Sequence, residues 1–292
     1  MTHYMEMAGI RDPSQRADIA DVMEEVSGFT AILARSHIVR LEIEAALDRA
    51  LSASSPHIAD LKLLGHGVGH AMGMRRGLRF RSADGDVTAS VRDGWPGGPA
   101  DFDAWLANAR RDLERASLRG PTDAEVPQLR AMGWDPTVAR AIAEERAEVE
   151  RQQATRLDNE PRWRRSRLRD VVQVRYLTIE IIDILTQALA DRGNTIEQVF
   201  TDREASMSFA ESMPSADVHV ALMEAAHRNR DKSWEPNDIY DVDALSIAVP
   251  YCDLVVTERH ACHVLRTARI PEGQQTEVVA TPAELERWLN DQ

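Results

Sequence analysis

Asn237-Asp238-Ile239-Tyr240-Asp241-Val242-Asp243, then Ala244 to Pro250, then Asp253-Leu254-Val255-Val256-Thr257-Glu258 is the stretch on which the reading of the fold turns. Asn237 reads as the cap of a helix that runs to about Val249. Asp253 to Thr257 is a β-branched run with the composition of a buried parallel strand. Glu258 to Thr267 reads as helix, and Glu277-Val278-Val279 as a second short strand. Thr281-Pro282-Ala283-Glu284 is a capping box with proline at its first helical position, opening a terminal helix with Leu285 and Leu289. Helix, strand, helix, strand, helix in that order predicts an α/β fold with a parallel sheet and helical crossovers.

Upstream, helical periodicity dominates. Asp12-Pro13 opens a helix on which Ile19, Val22, Met23, Val26 and Phe29 follow at three- and four-residue steps. Ser36 to about Ala53 predicts a second helix, with Ile38, Leu41, Ala45 and Leu47 on one face. Between Leu64 and Pro99 glycine is too frequent for long helices, which predicts loops and short irregular pieces. From Asp101 to about Asn159 the chain is again helical, punctuated by Pro121, Pro127 and Pro136. Trp105, Ala109, Leu113 and Ala116 mark an apolar stripe there. Leu168 to Ala190 is the most apolar stretch. Arg175, Glu180 and Asp183 interrupt it, so it reads as a buried core helix and not a membrane span.

The chain has 292 residues with Lys+Arg 35 against Asp+Glu 48, a formal net charge of −13. A 43% hydrophobic content excludes wholesale disorder. No run suits a membrane span, and the Met1-Thr2-His3-Tyr4 start reads as no secretory signal. Two cysteines, Cys252 and Cys262, cannot staple a chain this long, so a reduced, cytoplasmic setting is expected. The acidic balance argues against a general nucleic-acid coat protein but leaves room for a local basic patch.

Asp238 and Asp241 sit three apart on one helix face, where the helix dipole tolerates negative charge. Asp243 points elsewhere. Glu258 follows the strand, and ligands of open parallel sheets bind beyond the carboxyl ends of strands. Asp253, at the other end of that strand, lies roughly 16 Å away at ~3.3 Å per residue. Converging carboxylates call for a cation, and oxygen-only ligands suit Mg²⁺ or Mn²⁺. Such an ion activates water and stabilises charge developing on a phosphodiester. The same two aspartates also fit ordinary acids of a helix start.

Asn237-Asp238, Asp241, Ala248 and the apolar strand into Thr257-Glu258 resemble the C-terminal half of PIN-like domains. These are metal-dependent ribonucleases that include bacterial toxins of toxin–antitoxin pairs. The resemblance implies a three-layer core with a parallel sheet, spanning residues 1–35 and 206–292. A large, mostly helical insertion would occupy 36–205, with the glycine-rich region at 64–99. Carried over, Asp241 matches the family's helix acid with Asp238 beside it. Glu258 matches the acid after the strand, where the family most often has Asp. His3-Tyr4-Met5-Glu6 looks like the family's early helical segment, with Glu6 as its acid. Glu6, Asp238, Asp241 and Glu258 would hold the metal, and Glu6, Asp241 and Glu258 would be catalytic. PIN domains open on an apolar strand ending in Asp, the first metal ligand, and nothing before Met1-Thr2-His3-Tyr4 supplies it. The reading therefore expects a start upstream of Met1 or a site lacking that ligand.

Arg162, Arg164, Arg165 and Arg167, with Arg169 and Trp163, form the densest positive cluster. They suit RNA phosphates with one stacked base, or a solvated helix paired with Glu144, Glu145, Glu148 and Glu150. His66 and His70 have the four-residue spacing of a zinc pair, but two intervening glycines and no following Glu favour a tight loop. His260 and His263 stand near the expected site and suit either proton transfer or a surface helix. Cys252 and Cys262 read as two buried thiols. The expected function is divalent-metal-dependent endoribonuclease activity with RNA as substrate. The alternative is a non-catalytic PIN-like or helical scaffold that binds a protein partner, or a second copy, through the insertion.

Overall fold

In the computed structural model the chain is mostly helical, with three two-stranded sheets among the described residues. It describes all residues except 1, 8, 9, 11, 53–61, 75–77, 123, 134 and 136. Met1, Ala53 and Pro136, and residues 75–77 of the glycine-rich stretch, lie outside the described residues. Contacts divide the chain into two units, Met1–Ala34 with Lys62–Ala141, and Arg35–Leu61 with Ile142–Gln292. The boundaries thus fall at 34/35, 61/62 and 141/142, where the resemblance set them at 35/36 and 205/206.

In the first unit, Asp12 caps helix Pro13–Ser27 by accepting from Ser14 N–H at 2.9 Å. Strands β1 (Thr30–Ile32) and β2 (Leu64–His66) pair antiparallel. A short hairpin, β3 (Arg81–Ser82) with β4 (Gly85–Asp86), follows. Helix Gly98–Arg119 buries Phe102, Glu114 and Leu118, while Trp105, Leu113 and Ala116 are exposed. The predicted stripe therefore does not mark the buried face. A carboxylate hides the true face: Glu114 accepts from Tyr4 O–H at 3.0 Å and Val68 N–H at 2.7 Å, which satisfies it in the interior. Gly67, at φ +79°, leaves that carboxylate the space any side chain would take. A small core joins Met7, Ala20, Phe29 and Leu118. Phe80, Trp95, Phe102 and Trp105 stack separately, with centroids 5.1 to 6.1 Å apart.

In the second unit one contiguous core gathers side chains from Val39 to Val278. Strand β5 (Leu254–Val256) pairs parallel with β6 (Glu277–Val279), in register Val255 to Val278. Helices Arg259–Thr267 and Ile270–Gln274 make the crossover. Thr281 caps helix Pro282–Asn290, and Glu284 reaches back to Ala280 N–H at 2.9 Å. One cap differs from expectation. Glu235, not Asn237, caps helix Pro236–Tyr251, because Asp238 sits three residues on and closes a reciprocal capping box with it.

The segment expected as one core helix is three pieces: α-helix Leu168–Arg175, a π-helical turn Tyr176–Glu180 and α-helix Ile182–Asp191. Ile181 N–H donates five residues back to Tyr176 at 3.1 Å. The buried residues follow suit. Leu168, Val172 and Tyr176 step by four, Tyr176 to Ile181 by five, then Leu185 and Leu189 by four. An extra residue in a helix produces this step, and such turns are frequent at functional sites. Among the described residues no helix is long and apolar enough to cross a membrane.

Candidate functional site

The π-helical turn brings Glu180 to a polar cluster inside the second unit. Arg146 donates to Asp243 through Nη1 at 2.6 Å and Nη2 at 3.0 Å. The same Nη2 donates to Glu180 at 3.0 Å. Arg35 lies 3.4 Å from Asp243 and 3.8 Å from Glu180. Two carboxylates from two helices thus share two guanidiniums, with the Asp243 side chain 7% exposed and that of Arg146 30%. Burial alone would raise the pKa of Asp243, but the charge of Arg35 and the hydrogen bonds and charge of Arg146 hold it below the ordinary value. The pKa of Arg146 is correspondingly raised, against its own desolvation.

Buried His219 feels the charges of this cluster, and its ring lies 4.9 Å from that of Tyr176. Its Nδ1 is buried with no hydrogen-bond partner among the described residues. Burial lowers its pKa to about 4, with Arg35 and Arg146 acting in the same direction and Glu180 and Asp243 opposing. His219 is therefore neutral near pH 7. Desolvation pushes the Tyr176 hydroxyl up to about 12. One helical turn before His219, Ser215 donates through its N–H at 3.0 Å and its hydroxyl at 2.5 Å to buried Glu42. Tyr251 donates to the same carboxylate at 2.6 Å. Burial raises the Glu42 pKa, and these donors partly offset the rise.

A second buried knot lies elsewhere in the unit. Arg175 grips Glu150 with two bonds of 2.6 Å, and His227 Nε2 lies 2.8 Å from the same carboxylate. Burial opposes ionisation of Glu150, but His227 and Arg175 bring its pKa to about 2.

The acids read from the sequence fall in other places. Glu6 belongs to the first unit and pairs with His3 at 3.2 Å. Asp238 is engaged by Lys232 Nζ at 2.5 Å and Glu235 N–H at 2.8 Å. Asp241 is exposed on helix Pro236–Tyr251, and Glu258 is exposed at the start of helix Arg259–Thr267. Among the described residues no group of three or more His, Cys, Asp or Glu side chains is placed to hold a metal ion. Asp243, which the spacing set apart, is the acid of this helix that the fold buries.

The arginine cluster separates too. Arg164 is buried and donates to the carbonyls of His227 and Ala154 and to Asp158, so it is structural. Arg162 lies 3.1 Å from Glu160, and Arg169 pairs with Asp217 at 2.6 Å. Arg165 and Arg167 are exposed. His70 Nε2 lies 3.2 Å from the Leu63 carbonyl, which gives the His66–His70 pair the role of a loop. Cys252 and Cys262 are free thiols.

Arg35, Arg146, Glu180 and Asp243 escaped sequence reasoning as a group. The available signal was an acid inside the most apolar stretch, together with the five-residue step in its buried face. Comparison with family models, with curated proteins and with solved structures returns no match to this chain.

Proposed function

We propose that the second unit is a PIN-like, divalent-metal-dependent ribonuclease module whose acid pair is Glu180 and Asp243. One observation carries this reading. A single nitrogen, Arg146 Nη2, stands 3.0 Å from an oxygen of each carboxylate, so the two acids already share one positive charge. The helix–strand–helix–strand–helix order around the parallel pair β5–β6 supports it. The donors suit a hard divalent ion, which prefers carboxylate oxygen. Mg²⁺ or Mn²⁺ there would supply an activated water and countercharge to a phosphodiester. Asp243 and Glu180 would hold it, and exposed Arg165 and Arg167 would meet the RNA backbone. Asp241 and Glu258, the exposed acids of the same unit, are tested alongside.

The test is cleavage of end-labelled single-stranded RNA with Mg²⁺ or Mn²⁺. Asp243→Asn and Glu180→Gln should each lower metal-dependent cleavage at least a hundredfold, while Asp241→Asn and Glu258→Gln report on the acids read from the sequence. Cleavage that survives chelation, or that persists in every one of these variants, overturns the assignment.

A second reading rests on the same cluster. Arg35 and Arg146 already neutralise Asp243 and Glu180, which suits a non-catalytic scaffold. Full inertness toward RNA with both metals, in the wild type and in Arg146→Met, favours the scaffold.

A further inference from the structure

A groove of about 910 Å³ opens within the first unit, of the size that takes small organic ligands. Its apolar wall includes Met5, Val68, Met72, Leu129 and Met132. Three of these are methionines, whose unbranched, polarisable side chains adapt to irregular apolar shapes. Two arginines, Arg16 and Arg119, line the groove, and no ion pair of Arg16 is found among the described residues. The Arg16 Nε is shielded from solvent with no hydrogen-bond partner among the described residues. Leaving such a donor unmade is costly, which points to an acceptor supplied from outside. Gly120, at φ +68°, lies over the guanidinium, with Nη1 3.4 Å from where a Cβ would be.

The acids of the same wall are already engaged. Glu125 accepts from the Thr122 N–H and hydroxyl, both at 2.8 Å. Asp135 accepts from the Thr137 N–H at 2.9 Å and hydroxyl at 2.8 Å. Neither neutralises Arg16, and both disfavour a ligand carrying more than one negative charge. A guanidinium's planar fork matches a carboxylate, and an apolar wall matches a hydrocarbon tail.

We propose that this groove binds an amphiphilic monocarboxylate, with its head on Arg16 and its chain along the methionine-lined wall. The site lies wholly within the first unit and does not depend on the nuclease reading.

Calorimetric titration of the full chain with decanoate, and with its uncharged methyl ester, tests it. Decanoate should bind saturably at one site, and the ester at least tenfold more weakly. Arg16→Met should weaken decanoate at least tenfold and leave the ester unchanged. Arg16→Lys, which keeps the charge but loses the fork, should fall between. Leu129→Asp, at a half-exposed wall position, should remove binding of both. A thermal melt checks that the variants stay folded. An ester that binds as tightly as the acid, an Arg16→Met variant that binds decanoate unchanged, or no saturable binding would overturn the proposal.

Discussion

In the second unit a two-bond ion pair lies among core side chains: Arg175 and Glu150 are 14% and 4% exposed. In the first unit Arg92 and Asp103 make an equally well-aligned pair while 43% and 54% exposed. The difference follows from core size. The second unit has one contiguous apolar cluster large enough to surround charged groups. The first has a core of four buried residues and an aromatic quartet, and Glu114 is the charged residue it buries among the described residues. Geometry alone does not set the worth of an ion pair. In the interior, removing one partner strands the other, whereas at the surface solvent takes the partner's place.

The sharpest way to break this contrast is Asp243→Ala, which leaves Arg146 and Arg35 facing each other in the interior. It should cost about 3–5 kcal/mol of stability, read by urea denaturation. A loss as small as that of a surface substitution would show that water already reaches the cluster.

Next in size is an acid-induced loss. His219 has a folded pKa of about 4 against an ordinary 6.5, so the unfolded chain takes up the proton first as pH falls. Stability is then whole above pH 6.5 and declines by about 3 kcal/mol as pH drops toward 4. The groups facing His219 are Glu180, Asp243, Arg35 and Arg146. Glu150, depressed to about 2, adds a further loss only below about pH 4.5. His219→Asn should flatten the upper part of the curve and leave the lower part. If it flattens neither, the upper decline belongs to another group.

Smaller again is Glu114→Gln, the first unit's one buried carboxylate bridge described here. Weakening its bonds to Tyr4 and Val68 should cost about 1–2 kcal/mol. Last comes Arg92→Ala, which should leave the denaturation midpoint unmoved within error. A clear shift there would mean that the exposed pair belongs to a network.

Much of the fold was legible where the signal is local. The β5 and β6 strands, the Thr281 cap and the Asp12 cap were read from a few adjacent residues, because β-branching and capping act over one turn. Helix Gly98–Arg119 was misread on its burial because Glu114 occupies a core position, and a charged residue looks like surface in any pattern. Asn237 looks like the cap because the reciprocal partner of Glu235 is Asp238, whose carboxylate by itself suits a metal as well as a cap. The Glu180–Asp243 cluster was not legible, since its arginines come from positions 35 and 146 and only the folded chain unites them. The sequence ranked Asp241 above Asp243 because helical spacing from Asp238 cannot tell which acid the core will enclose.

The wide turn at Tyr176–Glu180 also sets a phase. Each residue of an α-helix advances the face by about 100°. The surplus residue therefore rotates everything from Ile181 onward relative to Leu168–Arg175. Deleting a single residue from this turn would make a more regular helix and a worse protein. Either Leu185 and Leu189 or Leu168 and Val172 would swing out of the interior, and Glu180 would lose its aim at Arg146. The irregularity works as a timing mark, which fixes how the two halves of the rod mesh with the same core.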